Sequence, residues 1–133
     1  MASNIGLISQ TVRYALDHHC DVILEGILYA PRYSEMLRAL SDDHLGQTLW
    51  YWFNVSFDET LRRHATRPQA SDFGGDDMRR WYRERNPLEF VPETSVPQAW
   101  TIAQTVQRIL ADMLRGSQGV VSPRAHEGYI DGL

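Results

Sequence analysis

The stretch Asp21-Val22-Ile23-Leu24-Glu25-Gly26-Ile27-Leu28 decides how this chain is read. Val22, Ile23 and Leu24 make an apolar run that one acid, Glu25, closes. A run so short, β-branched and set between helical patterns predicts a buried strand. Gly26 follows at once and lets the backbone turn or lets a ligand come close. Helix, apolar strand, helix is the order in which parallel α/β sheets are written. Ligands of such sheets gather outside the carboxyl ends of the strands. Glu25 therefore stands where chemistry is expected. An acid that merely ends a strand and meets solvent would be spelled the same way.

On the amino side, Ile5, Ile8, Val12, Leu16 and His19 recur at steps of three and four, which predicts a helix over 4–19. Ser3 or Asn4 would cap it. The string Asp17-His18-His19-Cys20 matches a signature of membrane palmitoyltransferases, but the chain has neither spanning segments nor several zinc-binding cysteines. Adjacent histidines on a helix face different ways, so the pair does not predict a metal site.

On the carboxyl side, Ala30-Pro31 opens a second helix with Pro near its first position. Tyr33, Met36, Leu37 and Leu40 form its core stripe, and the helix ends between Asp42 and Gly46. Residues 48–55, TLWYWFNV, predict a second strand, apolar on both faces and so central and covered by helices. Ser56-Phe57-Asp58-Glu59 then spells a capping box for a third helix.

From 62 to 85 the composition changes. Arg62, Arg63, Arg67, Arg79, Arg80, Arg83 and Arg85 are seven of the chain's 13 arginines. Between them Pro68-Gln69-Ala70-Ser71-Asp72-Phe73-Gly74-Gly75 reads as a loop. A short helix over 76–85 follows, with Arg79 and Arg83 on one face and Arg80 beside them. The interleaved acids Asp72, Asp76, Asp77 and Glu84 suit a solvated, ion-paired face. The position, after a capped helix at the end of a central strand, suits an anionic ligand equally well. Each arginine–phosphate contact is worth about 1.5–3 kcal/mol. Stacking of Trp81 and Tyr82 on bases would make the segment a nucleic-acid site. The net charge of −4 and the interleaved acids oppose that reading.

Residues 88–91 predict a third short strand, and Pro92-Glu93-Thr94-Ser95 a turn. Ser95 with Gln98 offers a second capping box. The last helix reaches 115 and places Ile102, Val106, Ile109 and Met113 on one face. Residues 116–133 hold four Gly, two Ser and a Pro and read as a loose tail behind a single domain over 1–115. No internal repeat is visible.

The chain's 133 residues suit one domain, and a hydrophobic fraction of 43% suits a globular core. Cys20 is the single cysteine, so no internal disulfide exists and a reducing, cytoplasmic setting is expected. No apolar run approaches the length of a membrane span. All 13 basic residues are Arg. Without Lys, Schiff-base chemistry and a lysine on nucleotide phosphates are excluded within this chain.

VILEGIL after a helix, then F-D-E-T-L-R-R-H-A-T-R-P, then F-G-G-D-D-M-R-R-W-Y-R, resembles a bacterial family of small P-loop kinases, also described as AAA-type ATPases. The family is related in fold to zeta-toxin-like and chloramphenicol phosphotransferases, and the likeness covers about 4–114. The resemblance implies an α/β fold with a P-loop kinase-type parallel sheet flanked by helices. It implies Mg-ATP as cofactor and a small-molecule acceptor. Glu25 would sit on the strand of the Walker B acid and act on the magnesium shell or the acceptor hydroxyl. Arg62, Arg63 and Arg67 would open a lid over the phosphates, with Arg67 catalytic, and Arg79, Arg80 and Arg83 would close it. Pro92, Glu93, Thr94 and Ser95 resemble the loop near the adenine. Asn86 stands where the family carries Asp.

The departure is at the front. The family has a strand, then G-x-x-x-x-G-K-[ST], whose glycine amides and Lys hold phosphate and whose hydroxyl holds magnesium. These 133 residues contain no such string. A strand–loop–helix–strand block of roughly 30 residues or more is expected to be missing, through a shortened reading frame or a decayed gene copy. The missing strand would lie between 22–25 and 48–55. Its slot predicts collapse, unpaired backbone, or pairing with a strand from a second copy or another polypeptide. Alone, the chain is expected to transfer no phosphate. The alternative is a non-catalytic binding or regulatory protein that pairs through its open sheet edge.

Overall fold

A computed structural model of the protein describes residues 2–72, 74–82 and 87–117. They form a mixed α/β arrangement of five helices and one two-stranded parallel sheet. The predicted 118–133 part of the tail lies outside the described residues.

Helix α1 spans Ala2–Asp17 and α2 spans Ala30–Asp43. α1 ends because His19 takes a left-handed backbone, φ 60°. His19 N–H then reaches Leu16 O at 3.0 Å and Cys20 N–H reaches Ala15 O at 2.9 Å. Those two bonds close the last turn of a helix in the Schellman manner. His18 stacks on Tyr14 at 4.0 Å. The two histidines thus finish a helix. Pro31 lies in the first turn of α2, where its missing N–H costs nothing.

The core sits where α1 crosses α2. Ala30, Met36, Leu37, Leu40 and Leu88 are buried there. Ile5, Ile8 and Val12 of α1 close over them, with Leu24, Leu28, Trp50 and Phe90 packed at the margin.

Strand β1 is Tyr51–Asn54 and β2 is Thr94–Pro97. They run parallel, with Tyr51 opposite Thr94 and Asn54 opposite Pro97. β1 is shorter than the predicted 48–55, because Val55 N–H turns back onto Phe53 O at 3.1 Å. It is not covered on both faces either, since Phe53 is 59% exposed. β2 corrects the predicted turn at 92–95. Thr94 and Ser95 belong to a strand, and a Pro at its end is tolerated because the strand lies at a sheet edge.

Two further strands are not formed. Residues 22–25 have no ladder partner among the described residues, and Ile23 is 91% exposed. An apolar run becomes a strand only when neighbours take its N–H and C=O groups, and here only one face finds cover, through Leu24. Residues 88–91 make a turn. They are apolar because Leu88 is buried and Phe90 meets the Trp50 ring edge-on at 5.6 Å, under the guanidinium of Arg38.

α3 spans Phe57–Ala65, a 3-10 turn covers Pro68–Ser71, and α4 spans Gly75–Trp81. α5 spans Ile102–Ser117. Its cap is not the predicted Ser95–Gln98 pair. Thr101 N–H donates to Gln104 Oε1 at 2.8 Å and Gln104 N–H donates to Thr101 Oγ1 at 3.1 Å, a reciprocal capping box. Among the described residues no helix is long and apolar enough to cross a membrane.

Candidate functional site

Both strands point their carboxyl ends the same way, so Ser56 and Gln98 meet there. Ser56 N–H donates to Gln98 Oε1 at 3.0 Å. Ser56 Oγ accepts from Glu59 N–H at 3.2 Å and caps α3. The predicted capping box is therefore half built, because the Glu59 carboxylate turns to arginines. It accepts from Arg62 Nε at 2.8 Å and Nη2 at 2.6 Å, and from Arg63 Nε at 2.8 Å. Arg63 Nη2 also donates to Gln98 O at 2.9 Å, tying the helix to the end of β2. The hydrogen bonds from Arg62, then those from Arg63, hold the Glu59 carboxyl down at about 2. The same pairing pushes the Arg62 guanidinium up.

α4 is anchored on the same first turn of α3. Tyr82 OH donates to Val55 O at 3.0 Å, and its ring meets Phe57 at 5.3 Å. Arg79 lies over the Phe57 ring at 4.6 Å. Arg80 is 3.8 Å from Asp77. Arg62, Arg63 and Arg79 are thus gathered around Phe57 and Glu59. Arg67 follows α3, exposed, and among the described residues only its backbone N–H is bonded, to His64 O at 3.0 Å. Arg83, like Asn86, lies outside the described residues.

The other expected residues lie apart. Glu25 is exposed in the segment before α2, and among the described residues no hydrogen bond or ion pair joins it to these arginines. Pro92, Glu93 and Thr94 lie at the amino end of β2, the opposite end of the pair from α3. They border an open cleft of about 720 Å³ together with Trp50, Tyr51 and Asp112. Ser95 pairs with Trp52 inside the sheet. Among the described residues no three His, Cys, Asp or Glu side chains gather as metal ligands.

The cleft holds a polar cluster that no sequence signal marked. Tyr51 OH donates to Asp112 Oδ2 at 2.7 Å. Arg108 Nε donates to Asp112 Oδ1 at 3.1 Å, and Arg115 pairs with the same oxygen. Gln47 Nε2 donates to Asp112 O at 3.1 Å. Burial pushes the Tyr51 hydroxyl up, against the pull of Arg108 and Arg115. Its residues are 61 positions apart, and nothing local predicts such a pair.

Glu59 gives a pH test. Its folded carboxyl titrates at about 2 against an ordinary 4.5. A depressed acid stabilises above its ordinary value and loses that contribution as pH falls from 4.5 towards 2. Glu59→Gln is therefore expected to unfold at lower denaturant than the native chain at neutral pH, with the difference vanishing at the acid end. Added salt should shrink the difference, because Arg62 is largely solvated, and less so the share from the half-buried Arg63. Denaturant titrations across that pH range check this, and a constant offset would remove the arginine pairing as its cause.

No family model, no curated protein and no solved structure matches this chain.

Proposed function

We propose that this is a P-loop kinase-family protein, an ATP-dependent phosphotransferase on a small molecule, which within these 133 residues lacks its phosphate-binding loop and is inactive alone. The observation that carries the reading is the arginine-bearing α3 leaving the carboxyl end of a parallel strand. That is the end at which α/β sheets receive ligands, and guanidinium forks match phosphate oxygens. Arg67 and Glu25 keep their proposed roles, on the transferred phosphoryl group and on the magnesium shell or acceptor hydroxyl. The described residues do not by themselves make a nucleotide cradle. Arg62 and Arg63 are already held by Glu59, and among the described residues no three His, Cys, Asp or Glu side chains gather to hold a cation.

Calorimetric titration of the 133-residue chain with Mg·ATP is therefore expected to give no heat of binding. The same titration on the chain joined to a strand–G-x-x-x-x-G-K-[ST]–helix segment is expected to show micromolar binding. Micromolar binding by the short chain, or none by the joined one, would overturn the proposal.

A second reading, a binding or regulatory protein that pairs through its sheet edge, is favoured by one observation. Each strand has a single ladder partner among the described residues, and Phe53 and Ile23 stand open nearby in sequence to the unpaired backbone.

A further inference from the structure

α5 is an amphipathic helix that turns its less apolar side to the sheet. Thr105, Ile109, Asp112 and Gly116 form its half-covered stripe. The rotation is fixed. Asp112 takes the Tyr51 hydroxyl on its carboxylate and the Gln47 amide on its backbone oxygen. Gly116 lies so close to Gln47 that an added Cβ would strike the amide. This anchoring holds a second stripe outward: Ile102, 85% exposed, then Val106, Leu110, Met113 and Leu114. Steps of four from Ile102 to Leu114, with Met113 three beyond Leu110, keep those residues on one line along the helix.

The open stripe exposes on the order of 500 Å² of apolar side chain, as large as the biggest patch on an ordinary monomer. It carries no charge of its own. Arg108 and Arg115 on its flank are both drawn onto Asp112. A partner of strong charge therefore finds nothing to pair with. The stripe is also matched to itself. About a two-fold axis near position 108, antiparallel helices would set Val106 against Leu110 of the partner subunit, and Ile102 against the partner's Leu114. Doubled in this way it buries roughly 1,000 Å², the size at which specific interfaces begin.

We infer that the outward stripe of α5 is a two-fold interface with a second copy of this chain. This goes beyond the phosphotransferase reading and does not rest on it. An isologous contact of this kind closes on itself and yields a dimer.

The test is the mass of the purified chain in solution over a concentration series, by sedimentation equilibrium. The native chain is expected to pass from monomer to dimer as concentration rises. Val106→Glu with Leu110→Glu places like charges face to face and is expected to weaken the dimer by about 100-fold or more. Because buried charge also burdens a helix, Ile102→Ala with Leu110→Ala is the second variant. Alanine favours the helix, so far-UV circular dichroism should not fall while dimerisation does. A native chain that stays monomeric, or a dimer that survives both variants, overturns the inference. So does a dimer that Ile23→Glu breaks and the α5 variants leave intact, since that pairing runs through the open backbone.

Discussion

Leu37→Ala is expected to lower the unfolding free energy by about 2–5 kcal/mol, the range for a buried leucine cut back in a packed core. Leu37 is 3% exposed, on the face of α2 that α1 and Leu88 close. The core around it is thin. Among the described residues the buried cluster has five members, and no large side chain is fully enclosed. Few neighbours remain to share the loss, so the change removes a large part of a stability that in domains of this size totals about 5–15 kcal/mol. The thermal midpoint should fall by roughly 10–20 °C. Ile23→Ala, at a site 91% exposed, should stay within about 0.5 kcal/mol of the native chain. Urea melts of both variants followed by circular dichroism check the pair. Equal midpoints would place the stabilising core elsewhere than between α1 and α2.

In the chain joined to a phosphate-binding segment, Arg67→Ala is expected to cut turnover by about 10³-fold, the lower range for an arginine that stabilises charge on a transferred phosphoryl group. The structure separates it from its neighbours. Arg62 and Arg63 are held by Glu59, whereas no side-chain hydrogen bond or ion pair holds Arg67 among the described residues. A side chain so placed reaches a ligand without first breaking a bond in the protein. Arg62→Ala should therefore cost less turnover than Arg67→Ala, and Glu25→Gln should cost turnover with little change in folding, because Glu25 is exposed. Single-turnover rates with Mg·ATP measure all three. Unchanged rates for Arg67→Ala and Glu25→Gln would remove both residues from the chemistry.

Helices were legible in the sequence because their signals are local. The stripe of Met36, Leu37 and Leu40 is buried as periodicity predicts, and Ser56 caps α3 as its spelling predicts. Strands were not legible to the same degree, because a strand is a relation between segments. The run 22–25 states a demand for burial and says nothing about whether a neighbour supplies it. Pro92–Ser95 read as a turn, and only β1 beside Thr94–Pro97 makes that stretch a strand. Leu88 and Phe90 were apolar for packing against α2 and Trp50, and that reads the same as a strand. The arginine gathering was visible in composition, while its tie to Gln98 was not. The Thr101–Gln104 box was spelled out in the sequence and was masked by the similar Ser95–Gln98 string six residues earlier.

The pairing of Tyr51 with Thr94 closes a loop of roughly forty residues, and that loop contains the whole arginine segment. Closing it is the largest single entropic demand of the sheet, yet the demand grows only with the logarithm of length. Doubling the loop adds about 0.6 kcal/mol. The segment is thus free to lengthen, shorten or exchange its residues while the two strands that hold its ends stay paired. Architecture and chemistry are inherited separately in such an arrangement, and variation can accumulate in one without eroding the other.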